Sequence, residues 1–459
     1  MSRYIFAKTF QRGIFGLATK TQASSVYKLN SSFVRSSKLA PLPPLTPKTF
    51  YRNYFSNQAD KSLKDDLAGY KLNKDSLELI IPSVSNDMVY PYLWLRDNCR
   101  CPKCIHATNR QKLHSTGEIS LDVSPQRISV EKDPVTQKAK LVIQWNGSGL
   151  RREVIGDNGG DHVSEYEIDW LQKNLAIRES SELVMPYTLP QNQLWTGSEY
   201  EKSFEFVDYD ALMNTTEGFK HLLRNLSLYG LAFIKNAPTN DQEVALIAER
   251  FGPIMETFYG RTWDVKSVQN STNIAYTDLY LGQHMDLCYY ESPPGIQFLH
   301  CLVNEVTGGE SMFVDSYKAA SVFCEKYPEE AKILESTKVN FHYDHESTYM
   351  HNQHYTLSRD RFGQINSVFY APPFQGPIEF GNPEEVPKFY DAFTKFEKII
   401  EDPSFTFTYK LKEGEVAAFA NRRVLHSRKG FDSTSGNRHY KGTYLRLDEF
   451  NDRLRILKP

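Results

Sequence analysis

Several features that would assign a chain to common functional classes are missing from this 459-residue sequence. It contains no run of about 18 apolar residues, so no membrane-spanning helix is expected. Its formal net charge is only −2, which provides no electrostatic footprint for nucleic acid. It has no Gly-rich phosphate-binding loop and no internal repeat. The 40% apolar content nevertheless supports folded cores, and the length suggests two or three domains.

Acidic residues are absent from the first 59 positions, which contain nine lysines and arginines and many serines. Phe6, Phe10 and Ile14 are spaced four apart, whereas Lys8 and Arg12 fall on the opposite side of a helical wheel. A basic, Ser-rich, amphipathic segment without acids is typical of a mitochondrial presequence. We therefore expect residues 1–55 to be a presequence and the protein to reside in the mitochondrial matrix. A disordered basic tail is the alternative.

Cysteine is scarce, with six in the chain, and its spacing does not fit a disulfide framework. Cys99, Cys101 and Cys104 lie within six residues and offer three soft ligands for tetrahedral zinc. The nearby candidates for a fourth ligand are His106, His114 and His162. Four protein ligands would leave no position for water, so such a site would be structural. A reduced, metal-free cysteine cluster is the alternative.

The hydrophobic pattern predicts many strands and a few helices. Strands are predicted at 77–81, 140–145, 231–235, 273–277, 295–303 and 443–447, and helices near 167–171, 217–228, 241–251 and 316–326. Residues 405–412 and 415–419 read as a hairpin around a Glu413-Gly414 turn. This pattern favours a mainly β fold with added helices, of the sandwich or jelly-roll class. A β-rich N-terminal domain at 70–185 would precede the larger domain at 200–459.

A possible metal-binding pair is His284-Met285-Asp286, because residues two apart on a strand point to the same face. Two histidines and one carboxylate suit Fe(II) with open positions for co-substrates. His426 is a candidate third ligand, and Arg438, twelve residues later, could bind the far end of a dicarboxylate. In a chain with 12 histidines an H-x-D pair can arise by chance, and Arg438 alone could be a surface residue.

Several longer motifs accompany these residues, and they belong to a resemblance that extends over nearly everything after residue 85. The motifs are WLRDNC at 94–99, HVSEY at 162–166, PPG at 293–295, QFLHC at 297–301 and GGES at 308–311. They resemble those of the γ-butyrobetaine/trimethyllysine dioxygenase family of Fe(II)- and 2-oxoglutarate-dependent oxygenases. The resemblance implies a double-stranded β-helix (jelly-roll) catalytic domain and a small zinc-binding N-terminal domain.

The resemblance also implies ligand sets. These are His284, Asp286 and His426 for Fe(II), Arg438 with Leu299 and Ser311 for 2-oxoglutarate, and Cys99, Cys101, Cys104 and His162 for structural zinc. Ascorbate as the reductant and a homodimer are further implications of the resemblance.

An aromatic cage for a trimethylammonium group is implied in the same way. Tyr259, Trp263, Tyr276 and Tyr444 match the cage positions, and Asn273 matches a contact to the carboxylate end of the substrate. A cation without N–H donors cannot be hydrogen-bonded, so π faces are its available partners. Taken singly, each aromatic residue could equally be packed in the core.

The expected activity is hydroxylation of γ-butyrobetaine to L-carnitine, with succinate and CO2 as co-products. The C-terminal pattern from Arg438 to Tyr444 is similar to that branch of the family. Trimethyllysine is the alternative substrate, which the presequence favours, and another trimethylammonium compound is a third. A non-catalytic binding protein on the same fold is the remaining alternative, against which the intact iron ligands and Arg438 argue.

Overall fold

A computed structural model describes residues 69–80, 88–134, 138–151, 160–174, 192–266, 278–345 and 347–459. The proposed presequence, residues 1–55, and the strand predicted at 273–277 lie outside these ranges. The N-terminal part has strands β1 (Gly69–Leu72), β2 (Ser76–Ile80), β3 (Met88–Pro91), β4 (Pro125–Lys132), β5 (Ala139–Trp145) and β6 (Val163–Glu167), with helices α1 (Tyr92–Asp97) and α2 (Ile168–Lys173). They form two antiparallel three-stranded sheets, β1-β2-β3 and β4-β5-β6.

The C-terminal part contains the remaining elements. Its helices are α3 (Gly197–Ser203), α4 (Tyr209–Asn214), α5 (Thr216–Tyr229), α6 (Glu243–Glu249), α7 (Ser316–Lys326), α8 (Pro328–Ser336), α9 (Glu385–Ile400) and α10 (Leu447–Leu457). Its strands are β7 (Phe206–Asp208), β8 (Leu231–Lys235), β9 (Trp263–Lys266), β10 (Leu281–His284), β11 (Ile296–Asn304), β12 (Thr307–Gly308), β13 (Ser311–Asp315), β14 (Lys338–His345), β15 (Thr348–Tyr355), β16 (Leu357–Arg359), β17 (Ile365–Val368), β18 (Thr406–Tyr409), β19 (Val416–Ala420), β20 (Val424–Arg428), β21 (Phe431–Asp432) and β22 (Arg438–Leu445).

Two of the sheets face each other across a shared aromatic core. One has the order β10-β20-β13-β18 and the other β7-β8-β19-β11-β22-β9. Phe313 of the first sheet packs against Phe419 of the second, with ring centroids 5.5 Å apart. Both residues are buried in a cluster that also contains Phe233 and Phe407. The predicted mainly β architecture with added helices is therefore confirmed.

Helices cover the outer faces of this sandwich. In α5, Phe219, Leu222, Leu223 and Leu226 recur at helical spacing and are buried in one cluster with residues of β8, β11 and β19. The hydroxyl of Thr215 accepts from the amide of Gly218 at the start of this helix. No helix within the described ranges is both long and apolar enough to cross a membrane.

The hairpin predicted at 405–419 is wrong. Its two segments form β18 and β19, but these strands belong to different sheets: β18 pairs with β13, and β19 pairs with β8 and β11. Gly414, with φ of 77°, lies in the connection, and its carbonyl accepts from the amide of Ala237. The turn therefore carries the chain from one layer of the sandwich to the other, which a local turn signal cannot distinguish from a hairpin.

A buried ion pair joins β20 to the strand beside it. The guanidinium of Arg423 donates to both carboxylate oxygens of Asp315, at 3.1 and 2.8 Å. The same guanidinium donates to the carbonyls of Gln193 and Leu228, and Asp315 accepts from the amide of Trp195. Because the charges are paired and otherwise hydrogen-bonded, their burial is compensated. The pair fixes the beginning of β20 relative to the surrounding elements.

One buried histidine has no comparable compensation. His300 lies on the same face of β11 as Phe298, is fully buried, and neither ring nitrogen has a hydrogen-bond partner among the described residues. Burial lowers the pKa of His300 to about 4, a shift that Glu243 opposes and His439 reinforces. The imidazole is therefore neutral in the folded protein near pH 7.

Replacing His300 with leucine should make the free energy of unfolding depend less on pH between pH 7 and about pH 4. The unfolded chain binds a proton on this side chain below pH 6.5, whereas the folded chain resists it down to about pH 4. Stability is thus fully present above pH 6.5 and falls by on the order of 3 kcal/mol as the pH drops to 4. Urea unfolding at pH 7 and 4.5 measures this difference, with the exposed His351→Leu as control. An unchanged pH dependence in His300→Leu would contradict the assignment.

Candidate functional site

Three potential metal ligands converge where β10 and β20 pair. His284 at the end of β10 lies directly opposite His426 in the antiparallel register, and their ring centroids are 4.2 Å apart. Asp286 follows two residues after His284, beyond the end of the strand. Its carboxylate oxygens lie 3.4 Å from Nε2 of His284 and 3.7 Å from Nε2 of His426. The structure thus brings together the triad that the sequence predicts, with the ligand atoms of all three within 4.8 Å of one another.

The backbone around Asp286 is held by one buried amide side chain. Oδ1 of Asn421 accepts from the amide of Asp286 at 2.9 Å, and its Nδ2 donates to the carbonyls of Asp286 and Pro294 at 3.0 and 3.2 Å. Asn421 begins the three-residue connection between β19 and β20 and lies five residues before His426. The turn that carries Asp286 is therefore tied directly to the strand that carries His426.

The ring orientation of His284 suits a metal ligand. Its Nδ1 lies 2.8 Å from the carbonyl of Gly282, which can only accept, so Nδ1 carries the proton. Nε2 is then left with a free lone pair on the side of Asp286 and His426. Such a hydrogen bond to the second ring nitrogen is the usual way in which a protein orients a histidine ligand.

The protonation states are also those that a divalent metal requires. Burial alone would raise the pKa of Asp286, but His426, His284 and a hydrogen bond from Tyr444 hold it below its usual value. Burial, with the adjacent His284, lowers the pKa of His426 to about 3. The cluster therefore presents an ionised carboxylate beside a neutral imidazole at neutral pH, which is the form that binds metal.

One cavity contains this cluster. Its lining includes Arg438, Leu299 and Ser311, the three residues assigned to 2-oxoglutarate by resemblance. Arg438 is buried, and its Nε has no hydrogen-bond partner among the described residues. Its guanidinium lies 4.2 Å from the ring centroid of Tyr440. A buried guanidinium with an unfilled donor beside a cavity is suited to binding a carboxylate.

Arg438 and His426 lie in different sheets. β22, which begins at Arg438, belongs to the six-stranded sheet, whereas β20 belongs to the four-stranded sheet. The two side chains line one cavity because the sheets face each other.

Three of the four predicted cage residues, Tyr259, Trp263 and Tyr444, line the same cavity. Trp263 stacks on Tyr444, with ring centroids 3.9 Å apart and an interplanar angle of 25°. Gly442 permits this stack, because a Cβ there would lie 2.5 Å from the indole ring. Tyr276 and Asn273 lie outside the described residues.

Among the other lining residues, Tyr289, Phe374 and Arg428 lie outside the motifs above, and Gln297 begins the QFLHC motif without a role assigned to it. Gln297 and Arg428 could be found from the strand period of two, because they lie two positions before Leu299 and two after His426. Tyr289 lies in a turn and Phe374 ends a single-turn 3₁₀ helix (Pro372–Phe374), and neither element is long enough for a periodic pattern to identify them.

A second cluster of potential metal ligands lies in the N-terminal part. Nε2 of His162 is 3.2, 3.6 and 3.5 Å from the sulfurs of Cys99, Cys101 and Cys104. These four residues form the second of the groups whose ligand atoms converge. The structure thus favours His162 over the alternatives that the sequence leaves open.

The other two histidines have different partners. Nε2 of His114 lies 3.5 Å from the carboxylate of Asp97, and Nδ1 of His106 lies 3.2 Å from the hydroxyl of Thr108.

Comparison with known proteins places this geometry in a family. Residues 195–444 match the family described as "Taurine catabolism dioxygenase TauD, TfdA family", and residues 71–149 match "Gamma-butyrobetaine hydroxylase-like, N-terminal". The chain is 37% identical to "Dioxygenase str8" of Strobilurus tenacellus, over 80% of this chain and 85% of the relative.

Two further relatives cover similar lengths. The chain is 30% identical to the mitochondrial trimethyllysine dioxygenase of Bos taurus, over 88% of this chain and 90% of the relative. It is 31% identical to the γ-butyrobetaine dioxygenase of Pseudomonas sp. (strain AK-1), over 80% and 90%. The protein is a 2-oxoglutarate-dependent dioxygenase whose fold implies dependence on Fe(II) and a small-molecule substrate. The chain belongs to the γ-butyrobetaine/trimethyllysine dioxygenase family of Fe(II)- and 2-oxoglutarate-dependent oxygenases.

Proposed function

We propose that the protein hydroxylates γ-butyrobetaine to L-carnitine, with conversion of 2-oxoglutarate to succinate and CO2. The observation that carries this proposal is the composition of one cavity. It is lined by the converging ligands His284, Asp286 and His426, by the buried Arg438, and by aromatic rings. This combination provides a place for a metal, a dicarboxylate and an organic cation side by side.

Each group has a defined task in this proposal. His284, Asp286 and His426 hold Fe(II), and the three ligands leave other positions of the metal open. Arg438 binds and orients the distal carboxylate of 2-oxoglutarate through charge-assisted hydrogen bonds, and Leu299 and Ser311 line this part of the cavity. When bound, iron and 2-oxoglutarate together supply the oxidising chemistry. The contribution of the protein is to orient the substrate C–H bond and to exclude water from the cavity.

The aromatic surface supports a trimethylammonium substrate. Tyr259 and Trp263 present ring surface to the cavity, and Tyr444 lies stacked on Trp263. A quaternary ammonium group is bound by π faces because it has no N–H to donate. We assign Tyr276 to the same cage, and Asn273 to the carboxylate end of the substrate, on the family resemblance.

Trimethyllysine is the second candidate substrate. It carries the same cationic group on a longer chain, and relatives named trimethyllysine dioxygenase match this chain at about 30% identity. The acid-free N-terminal segment also favours it, because the Bos taurus relative is named as mitochondrial. Another trimethylammonium compound is the third candidate substrate, and the 37% identical relative from Strobilurus tenacellus is named only as a dioxygenase.

We also propose that Cys99, Cys101, Cys104 and His162 hold a structural zinc ion. The buried Arg96 supports this proposal, because its Nη1 lies 3.4 Å from the sulfur of Cys104 and its Nε donates to the carbonyl of Ser148. Three thiolates and one neutral histidine on Zn²⁺ carry a net charge of −1. A guanidinium beside them neutralises that charge.

The remaining assignments concern the whole protein. We propose that residues 1–55 direct the chain to the mitochondrial matrix, that residues 70–185 form the zinc-binding domain and that residues 200–459 form the dioxygenase domain. The acid-free composition of the first segment supports the first assignment. Ascorbate as the reductant and a homodimeric assembly follow from the family resemblance.

Activity should depend on His284 and on the identity of the cation. With Fe(II), ascorbate and 2-oxoglutarate, the chain lacking residues 1–55 should add one oxygen to γ-butyrobetaine, as measured by product mass, with stoichiometric succinate. His284→Ala should lose both products because one metal ligand is missing, whereas the exposed His351→Ala should retain them. Product from trimethyllysine alone would transfer the function to the second candidate. Undiminished succinate in His284→Ala would refute the triad.

Zinc content should depend on His162 but not on its neighbour in sequence. Metal analysis of the purified chain should find about one zinc per chain, and His162→Ala should lose most of it and unfold at a lower temperature. His106→Ala, which removes an exposed histidine near the same cysteines, should leave both values unchanged. Full zinc retention in His162→Ala would contradict the proposed ligand set.

A further inference from the structure

One hydrogen bond connects the aromatic wall of the cavity to the metal-binding carboxylate. The phenol of Tyr444 donates to Oδ2 of Asp286 at 2.7 Å. This oxygen is also the one that lies 3.7 Å from Nε2 of His426, whereas the other oxygen, Oδ1, lies 3.4 Å from Nε2 of His284. The two carboxylate oxygens are therefore distinguished by their surroundings, with the phenol bound to one of them.

Tyr444 is itself firmly placed. Its side chain is buried, one face of its ring is covered by Trp263, and its backbone carbonyl accepts from the amide of Met255 at 2.9 Å. It lies near the end of β22, opposite Gln297 of β11. The donor is thus fixed to the six-stranded sheet, while Asp286 follows a strand of the four-stranded sheet. The hydrogen bond spans the two layers of the sandwich.

Apart from the nitrogens of His284 and His426, which lie 3.4 and 3.7 Å from its carboxylate oxygens, Asp286 is held through its backbone among the contacts described above. Asn421 holds its amide and carbonyl groups, but these contacts do not determine the rotation of the carboxylate about its side-chain bonds. A charge-assisted hydrogen bond from a rigid phenol does determine that rotation.

We infer that Tyr444 is a positioning residue that sets the orientation of the Asp286 carboxylate toward the metal, in addition to forming part of the aromatic wall. This inference rests on the proposed iron site. It adds that a hydrogen bond links the substrate-facing stack of Trp263 and Tyr444 to the metal ligand Asp286. A substrate that packs against this stack therefore contacts a surface that is hydrogen-bonded to the metal centre.

Two consequences distinguish this role from simple packing. Removing only the phenol oxygen should weaken metal binding, because loss of a hydrogen-bond partner of a ligand typically costs about 10- to 100-fold in metal affinity. It should also raise the ratio of succinate formed to substrate hydroxylated, because the metal is held less accurately relative to the C–H bond. The ring, and with it the aromatic wall, is retained.

The test compares Tyr444→Phe with Tyr409→Phe. Tyr409 on β18 also has a phenol bound to a carboxylate, that of Glu415, at 3.0 and 3.1 Å, and it does not line the cavity. Binding of Co(II) to the metal-free triad, followed by its ligand-field absorption, reports the site without turnover. Tyr444→Phe should bind Co(II) about 10- to 100-fold more weakly with an altered spectrum. Tyr409→Phe should match the parent protein, and the KM for γ-butyrobetaine should change little in either variant.

Other outcomes would overturn the inference. Co(II) affinity and spectrum in Tyr444→Phe within twofold of the parent would show that the phenol does not position the carboxylate. Loss of the folded state in Tyr444→Phe alone would assign the phenol a structural role instead. If His284→Ala bound Co(II) with the parent's affinity and spectrum, the proposed metal site itself would fail and the inference with it. This failure of the metal site can be told apart from unchanged Co(II) binding in Tyr444→Phe, because it is observed in the His284→Ala variant.

Discussion

The antiparallel pairing of β10 with β20 is the constraint on which the site depends. It places His284 directly opposite His426, although 142 residues separate them in the sequence. Because strand side chains alternate between faces, a slip of one residue would turn His426 away from its partner. Two side chains from the turn directly before β20 oppose such a slip: Asn421 holds the backbone of Asp286, and Arg423 is paired with the buried Asp315. The same short segment therefore carries a ligand and fixes its position.

The facing of the two sheets adds the rest of the cavity. β20 supplies His426, β22 in the opposing sheet supplies Arg438 and Tyr444, and β11 supplies Leu299. Either sheet alone would leave the site residues that it carries exposed to solvent. Their apposition places a cation for a dicarboxylate, ligands for a metal and aromatic rings for an organic cation around one cavity. The hydrogen bond from Tyr444 to Asp286 is a direct connection between the two layers at this point.

Local sequence signals predict local elements well in this chain. Observed β8 and α7 have the predicted bounds, because Gly230 in the left-handed conformation ends α5 directly before β8, and the side chain of Asp315 caps the start of α7. The prediction of a hairpin at 405–419 is wrong because sheet membership depends on pairing between segments that are distant in the sequence. A local turn pattern contains no information about such pairing. Motif spacing identifies the residues that converge in both metal clusters. Motif spacing does not predict the positions of Tyr289 and Phe374 in the cavity or the hydrogen bond between Tyr444 and Asp286, because these depend on how distant segments pack.

The central claim is that iron and zinc occupy two separate ligand sets in one chain. Anomalous X-ray scattering measured at both absorption edges, on crystals grown without oxygen in Fe(II) and 2-oxoglutarate, tests it most directly. The account predicts an iron peak among His284, Asp286 and His426, and a zinc peak among Cys99, Cys101, Cys104 and His162. An iron peak at the cysteines, or no metal between the two histidines and Asp286, would contradict it.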